Sequence, residues 1–380
     1  MSNISSFFKT LFASKNESVL GIDIGTSAIK VVELYKRKGR AVLQNYGVLA
    51  LGPYGKVGVG RATNLTSEKY AEAVTDILRE LKMSGKSAGL SIPFKSSLVS
   101  TIEVPNVPYT ELQTMVPIEA RKYIPVPISE VTIDWSVVPK DEFAFDKDEE
   151  MSSGMNPTKE TQENIDKNKL EVLVVAIHND TITKWNEIVS KAGVSASFFE
   201  VEIFSTMRSV MDNELQPVMI VDMGASSTKF YIIERGIIKS SYTVPRGSQD
   251  ISLAISQSIG VSYDEAEIIK REVGLKDVNS PGASSASITT NYIFGEANRL
   301  ILDYEKKYGK SLSKVILVGG GSSLKGLNAL AHSAFETEVV TANPFLKVYS
   351  TAFSDDVLTA SGPEFSVAVG LALRKLQELP

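Results

Sequence analysis

The sequence predicts an α/β chain of two similar lobes. Three observations carry that prediction. Apolar strand segments alternate with amphipathic helical ones along the chain. One eight-residue pattern occurs twice, each time after an apolar strand. A buried strand late in the chain runs into three consecutive glycines. The length of 380 residues suits two lobes of about 150–200 residues better than one compact domain.

Composition narrows the class. With 43% hydrophobic and 22% charged residues, the chain has ample material for a globular core. A net charge of -5 and the lack of a prominent Lys/Arg block argue against nucleic-acid binding, which depends on neutralising phosphates. The absence of cysteine excludes disulfides, thiolate zinc sites and a cysteine nucleophile. With His178 and His332 as the only histidines, a histidine-rich metal site or a Ser-His-Asp arrangement has little to draw on. No apolar run approaches the ~20 residues that span a bilayer, and no signal peptide is legible, so the expected protein is neither exported nor integral.

The elements follow in order. Ile4, Phe7, Phe8, Leu11 and Phe12 share one face of a short N-terminal helix, which either lies on a membrane surface or docks on protein. Residues 19–34 read as two strands around a turn at Gly25. Residues 67–82 carry a helical stripe of Tyr70, Val74, Ile77, Leu78 and Leu81. Residues 88–93 and 98–104 read as strands, and 110–123 as a helix stopped by Pro125 and Pro127. Residues 131–138 and 170–177 are strand-like; the acidic stretch between them reads as a long mobile hairpin tip. A helix over 181–191 ends at Gly193, and 218–235 is again strand, turn, strand. Helices are predicted over 248–259, 263–272, 292–308 and 365–376, a loop over 279–287, and a buried strand over 314–318.

The repeat aligns Asp23-Ile24-Gly25-Thr26-Ser27-Ala28-Ile29-Lys30 with Asp222-Met223-Gly224-Ala225-Ser226-Ser227-Thr228-Lys229, both D-x-G-x-S-x-x-K. An Asp at a strand end can hold magnesium, which takes one or two carboxylates together with phosphate oxygens and water. Gly25 and Gly224 let the backbone turn sharply beside a phosphate, and the hydroxyls of Thr26, Ser27, Ser226 and Ser227 can donate to its oxygens. Either copy alone is an ordinary hairpin; the pair suggests two turns clamping a triphosphate. Lys30 and Lys229 either touch phosphate or are solvated strand side chains. Gly319-Gly320-Gly321-Ser322 ends the late strand in a turn that admits a flat nucleoside close to the backbone. It is neither a P-loop nor G-x-G-x-x-G.

Hairpin, hairpin and glycine turn in this order resemble the actin-like ATPase superfamily. The resemblance implies an actin-like ATPase fold of two ribonuclease-H-like lobes with ATP and Mg2+ in the cleft, the metal at Asp23 and Asp222. Ser91-Ile92-Pro93 and the run from Glu119 to Pro127 are similar to the small subdomain of FtsA and of the PilM family, FtsA relatives of type IV pilus systems. Glu267 and Lys270 fall on an A-E-x-x-K pattern that the family places on the ribose and base side, and Gly247 stands where the family has a double glycine. The resemblance covers nearly the whole chain. It implies an N-terminal amphipathic segment over 1–18, a first lobe over 19–200 with the small subdomain at about 45–180, and a second lobe over 201–376 with a helical subdomain at about 246–312.

What the resemblance implies for function is a cytoplasmic ATP-binding assembly protein, peripheral to the inner face of the cytoplasmic membrane and with at most slow ATPase activity. Its expected partner is the N-terminal cytoplasmic peptide of PilN, in a groove made by Arg121, Tyr123, Ile124 and Pro125 unless these are plain subdomain core. Other pilus platform proteins and motor ATPases are further possible partners, and membrane contact is expected mainly through partners. Where the family often has V-D-V-E, this chain has Phe199-Glu200-Val201-Glu202, making Glu200 and Glu202 weak catalytic candidates. The alternatives are an FtsA-like filament former, disfavoured by the lack of an amphipathic tail after Leu376, and a small-molecule kinase, for which Glu202 is a poor base.

Overall fold

The computed structural model describes residues 17–138, 169–212, 214–276 and 280–379. The apolar stripe of the N-terminal segment and the acidic stretch 140–168 lie outside the described residues.

Strand β1 (Ser18–Ile24) is buried at every position. It pairs antiparallel with β2 (Ala28–Arg37), and β2 with β3 (Arg40–Ala50). Helix α1 (Ser67–Glu80) starts at Thr66, whose hydroxyl accepts from the Lys69 N–H at 3.4 Å. It buries Tyr70, Val74 and Ile77, as their spacing predicts. Strand β4 (Ser87–Ile92) then lies parallel to β1.

Residues Pro93–Lys184 form a separate compact unit. It contains β5 (Ser97–Pro105), α2 (Tyr109–Ala120), β6 (Val131–Val137) and β7 (Lys169–His178), with an antiparallel sheet of order β5-β7-β6. Ile102, Leu112, Val116, Ile124, Val172 and Val174 fill its core. The unit begins at Pro93, later than the residue near 45 drawn from the sequence, because β3 and β4 are hydrogen-bonded into the sheet of β1. Ser91 and Ile92, read as part of the small subdomain, belong to that sheet too.

Helix α3 (Asn179–Lys191) precedes β8 (Ser195–Val201), which pairs parallel with β4 and completes the order β3-β2-β1-β4-β8. After α4 (Glu202–Val210) come β9 (Val218–Met223), β10 (Thr228–Glu234) and β11 (Ile237–Val244), then α5 (Ser248–Ile259), α6 (Tyr263–Glu272) and α7 (Pro281–Tyr308). Strand β12 (Lys314–Val318), α8 (Leu327–Ala334), β13 (Glu338–Thr341), α9 (Asp355–Ser361) and α10 (Ser366–Gln377) complete the chain. The second sheet has the order β11-β10-β9-β12-β13. Each sheet is an antiparallel meander of three strands with two parallel strands added beside its first. The duplication thus extends from eight residues to a whole sheet.

Two further features matter for the site. Helix α7 starts at Pro281, where the sequence suggests a loop. Ser280 caps it by accepting from the Ala283 N–H at 3.1 Å, and Pro281 suits the first helical turn. Its small residues Ala283, Ala286 and Thr290 are buried, so the composition that mimics a loop is a packing surface. Helix α10 packs on β1 and α4 so closely that a Cβ on Gly21 would lie 2.0 Å from the Ala368 carbonyl oxygen, and one on Gly370 1.9 Å from that of Ser205.

Candidate functional site

The two repeats fold into the same turn. Gly25 N–H donates to the Ala28 carbonyl at 3.0 Å, and Gly224 N–H to that of Ser227 at 3.0 Å. Neither glycine has positive φ; a Cβ would press on the carbonyl that closes the turn, at 3.1 and 3.0 Å. The turns face each other, with the Thr26 and Ser226 hydroxyls 3.3 Å apart. Two segments 200 residues apart in sequence thereby meet.

Strand register brings Asp and Lys of each repeat together. Asp23 lies directly opposite Lys30, and Asp222 opposite Lys229. Directly opposed residues share a face of the sheet, so the side chains meet. Lys30 Nζ is 3.9 Å from Asp23 Oδ2, and Lys229 Nζ is 3.1 Å from Asp222 Oδ2 and 2.9 Å from Glu202 Oε1. Neither is a solvated strand lysine: 15% and 17% of their side-chain surfaces are exposed. Burial pulls the Lys229 ammonium down, but Asp222 and Glu202 outweigh it and hold the group well above the ordinary lysine value. Asp23 is buried and accepts from the Ser91 hydroxyl at 2.7 Å.

The glycine turn packs against the second repeat. Gly319 has φ +84°, and a Cβ there would lie 2.6 Å from Asp222 Oδ1. Its N–H donates to the Pro363 carbonyl at 2.9 Å, and its carbonyl accepts from the Ser322 hydroxyl at 2.7 Å. Gly321 abuts Met223, and Gly320 faces Glu364. Burial pushes the Glu364 carboxyl up, against the opposing pull of Lys30 and Arg271. Gly247 fits under the second turn, where a Cβ would lie 2.4 Å from the Ala225 carbonyl oxygen. The first N–H groups of α5 support the same turn: Ser248 donates to Gly224 at 2.9 Å and Gln249 to Ala225 at 3.0 Å.

Glu267 and Lys270 form a buried pair at 2.6 Å. Glu267 also accepts from Ser252 at 2.7 Å and Arg271 at 2.8 Å, and Lys270 donates to the Ser248 carbonyl at 3.1 Å. Burial pushes the Glu267 carboxyl up, but Lys270, Ser252 and Arg271 together keep it below the ordinary range. The segment between β3 and α1 crosses to these helices: Ala62 N–H donates to Gln249 Oε1 at 3.0 Å, Arg61 lies 5.5 Å from the centre of the Tyr263 ring, and Gly60 abuts the Glu267 carboxylate.

Glu200 is committed elsewhere. Its Oε1 accepts from Arg208 at 2.8 Å and Arg374 at 2.7 Å, and its Oε2 from Arg208 at 2.6 Å and from the Ser205 hydroxyl. Burial pushes this carboxyl up, but Arg208, Ser205 and Arg374 outweigh burial and hold it below the usual range. It ties β8 to α4 and α10 and has no acceptor free for a reacting group. Of the acidic pair Glu200 and Glu202, only Glu202 stands beside a repeat Asp.

Magnesium fits this donor set as a phosphate-borne ion. Among the described residues no group of three or more His, Cys, Asp or Glu could hold a metal by itself. Asp23 and Asp222 at facing strand ends, with hydroxyl-rich turns between, match a cation that brings its own phosphate and water ligands. In the smaller unit Arg121, Tyr123 and Pro125 are exposed, but Ile124 is 8% exposed and belongs to the core. Its side chain fills the space under α2 and is withdrawn from a partner. Sequence reasoning does not single out Ser91, Gln249 or Glu364; Ser91 meets Asp23 only through the parallel pairing of β4 with β1.

The family model for type IV pilus assembly protein PilM matches residues 21–376. The cell division protein FtsA of Neisseria meningitidis is 24% identical over 212 residues, 48% of this chain and 49% of that protein, so the match spans about half the length of that relative. FtsA of Bacillus subtilis is 19% identical over 94% of this chain and 83% of its own length. Among solved structures, a PilM-PilN type IV pilus biogenesis complex superposes with a TM-score of 0.75 at 23% identity, covering 94% of this chain and 98% of that one. The fold is therefore the actin-like one that the repeat implies.

Proposed function

The chain belongs to the type IV pilus assembly protein PilM family, and from that premise we propose that it is an ATP-binding assembly module of the pilus inner-membrane platform. The observation that carries the nucleotide reading is the meeting of the two repeats, with Thr26 and Ser226 3.3 Å apart and an Asp–Lys pair behind each turn. Asp23 and Asp222 would hold Mg2+, which would offset phosphate charge. Backbone N–H groups and the hydroxyls of Thr26, Ser27, Ser226 and Ser227 bind the phosphates. The turn at Gly319-Gly320-Gly321 and the Glu267–Lys270 pair flank the nucleoside. The lysines supply positive charge that can turn from carboxylate to phosphate. With Glu200 locked and Glu202 held by Lys229, little is left to orient water, so turnover is slow or absent.

The partner reading draws on the PilM-PilN complex to which the chain is similar. The N-terminal cytoplasmic peptide of PilN binds the smaller unit along exposed Tyr123, Arg121 and Pro125. Ile118, 56% exposed, and Met115 line a neighbouring groove of about 600 Å³ on α2. The protein is cytoplasmic and peripheral to the inner membrane, and nucleotide closes the lobes and alters peptide affinity. Calorimetric titration of Mg-ATP and of the PilN peptide, each with and without the other, tests this. Asp23→Ala and Asp222→Ala should weaken Mg-ATP binding at least tenfold while leaving the fold intact. Unchanged ATP affinity in both variants would remove the nucleotide from this cleft, and absence of peptide binding would remove the PilN assignment.

A further inference from the structure

Glu364 is a carboxylate without a donor, beside the glycine turn. Its backbone is fixed from both sides. The Pro363 carbonyl accepts from the Gly319 N–H and from the Ser366 hydroxyl, each at 2.9 Å, which clamps the segment before α10 to the turn. Phe365, 1% exposed, anchors the following residue in the core. Glu364 between them is half-buried, and its Oε2 and Cβ each lie 3.9 Å from where a Cβ on Gly320 would stand. No other side chain among the described residues comes that close to Gly320, which is itself exposed, so carboxylate and glycine backbone border the same open space. Lys30 and Arg271 are the charged groups that act on Glu364, and both pull against its burial. Each has a carboxylate of its own: Lys30 lies 3.9 Å from Asp23, and Arg271 donates to Glu267 at 2.8 Å. Among the described residues no donor bonds to the Glu364 carboxylate.

Glu267, which the A-E-x-x-K pattern puts on the ribose side, is in the opposite condition. Ser252, Lys270 and Arg271 donate to it at 2.7, 2.6 and 2.8 Å. It is 6% exposed, and a Cβ on Gly60 would lie 2.8 Å from its carboxylate. Three donors already satisfy this group, and the Ser252 bond ties α6 to α5. A half-buried carboxylate that lacks donors is costly until a ligand supplies one. Phosphate oxygens accept and cannot fill that need, whereas ribose hydroxyls donate. A carboxylate accepting from ribose hydroxyls also fixes the sugar in dinucleotide sites of other α/β proteins. Because Lys30 of the first turn acts on Glu364, the carboxylate stands toward the phosphate end of a nucleoside, which is the sugar and not the base.

We propose that Glu364 reads the sugar of the bound nucleotide by accepting from a ribose 2′- or 3′-hydroxyl, while Glu267 serves to hold α6 on α5. The inference rests on the nucleotide reading given above and assigns one specificity-determining residue within it. A ribonucleotide is then selected over a deoxyribonucleotide, and the selection resides in this one side chain.

The test is calorimetric titration of the full chain with the magnesium complexes of ATP, 2′-deoxy-ATP and 3′-deoxy-ATP. The wild type should prefer ATP over at least one deoxy analogue by about 10- to 100-fold, the range for a hydrogen bond to a charged group. Glu364→Ala should bind all three alike, and Glu364→Gln, which keeps an acceptor oxygen without the charge, should retain part of the preference. Without nucleotide, Glu364→Ala should unfold at the wild-type temperature or above it, because no donor within the chain is lost. Equal affinity of the wild type for the three nucleotides, or an undiminished preference in Glu364→Ala, would overturn the proposal while leaving ATP in its site. A lowered unfolding temperature of the unliganded variant would overturn it too, by giving the carboxylate a structural partner. So would a Glu364→Ala variant that keeps the sugar preference but no longer distinguishes ATP from inosine triphosphate, which would put the carboxylate at the base. ATP affinity unchanged in both Asp23→Ala and Asp222→Ala would instead remove the nucleotide from this site, and the ribose contact with it.

Discussion

Replacing Glu200 by Gln separates a structural carboxylate from a catalytic one. Gln keeps the shape but removes the charge that two guanidinium groups share. Glu200 is 6% exposed at its side chain, Arg208 26% and Arg374 36%. Breaking a fully buried ion pair from one side costs about 3–5 kcal/mol. Both arginines keep contact with water, which softens the loss to about 2–3 kcal/mol. The pH dependence has a definite sign. The folded carboxyl titrates below its unfolded value, so its contribution is present above the ordinary carboxylate range and disappears as pH falls through the lower folded value. The wild-type advantage should be complete at neutral pH and shrink below about pH 4. Urea unfolding of both proteins across this range reads the stability, and calorimetry reads Mg-ATP affinity, which should be unchanged. Unaltered stability with lost nucleotide affinity or turnover would refute the structural role.

Three further outcomes are expected. Lys229→Met leaves Asp222 and Glu202 facing each other without their cation and should cost about 3 kcal/mol at neutral pH. Chemical denaturation of variant and wild type at neutral pH reads the loss, and an unchanged midpoint would show that the Lys229 contacts carry no stability. Gly319→Ala places a Cβ 2.6 Å from Asp222 Oδ1 at a φ of +84°, and should lower nucleotide affinity at least tenfold through displacement of the glycine turn. In the smaller unit, Ile124→Ala should cost about 2–4 kcal/mol, whereas Tyr123→Ala should change stability by less than about 0.5 kcal/mol and weaken PilN-peptide binding instead. Equal effects of the two substitutions on stability would show that the exposed and buried faces are misassigned.

The sequence by itself determined the duplicated architecture. Apolar strands leading into the same D-x-G turn are local signals, and two copies of a local signal survive without knowledge of any contact. The glycine turn was legible for the same reason, as were most helices. What tertiary structure decided were the pairings. Asp23 with Lys30 and Asp222 with Lys229 depend on strand register, which places residues seven apart in direct opposition only once the turn geometry is fixed. Glu200 looked like Glu202 in the sequence; it became a structural anchor because Arg374, 174 positions away, arrives on α10. Ser91 reached Asp23 through the parallel pairing of β4 with β1, and small residues after Pro281 proved helical because a neighbouring surface needed them small. Local propensity writes the elements, and long-range packing selects which charges meet.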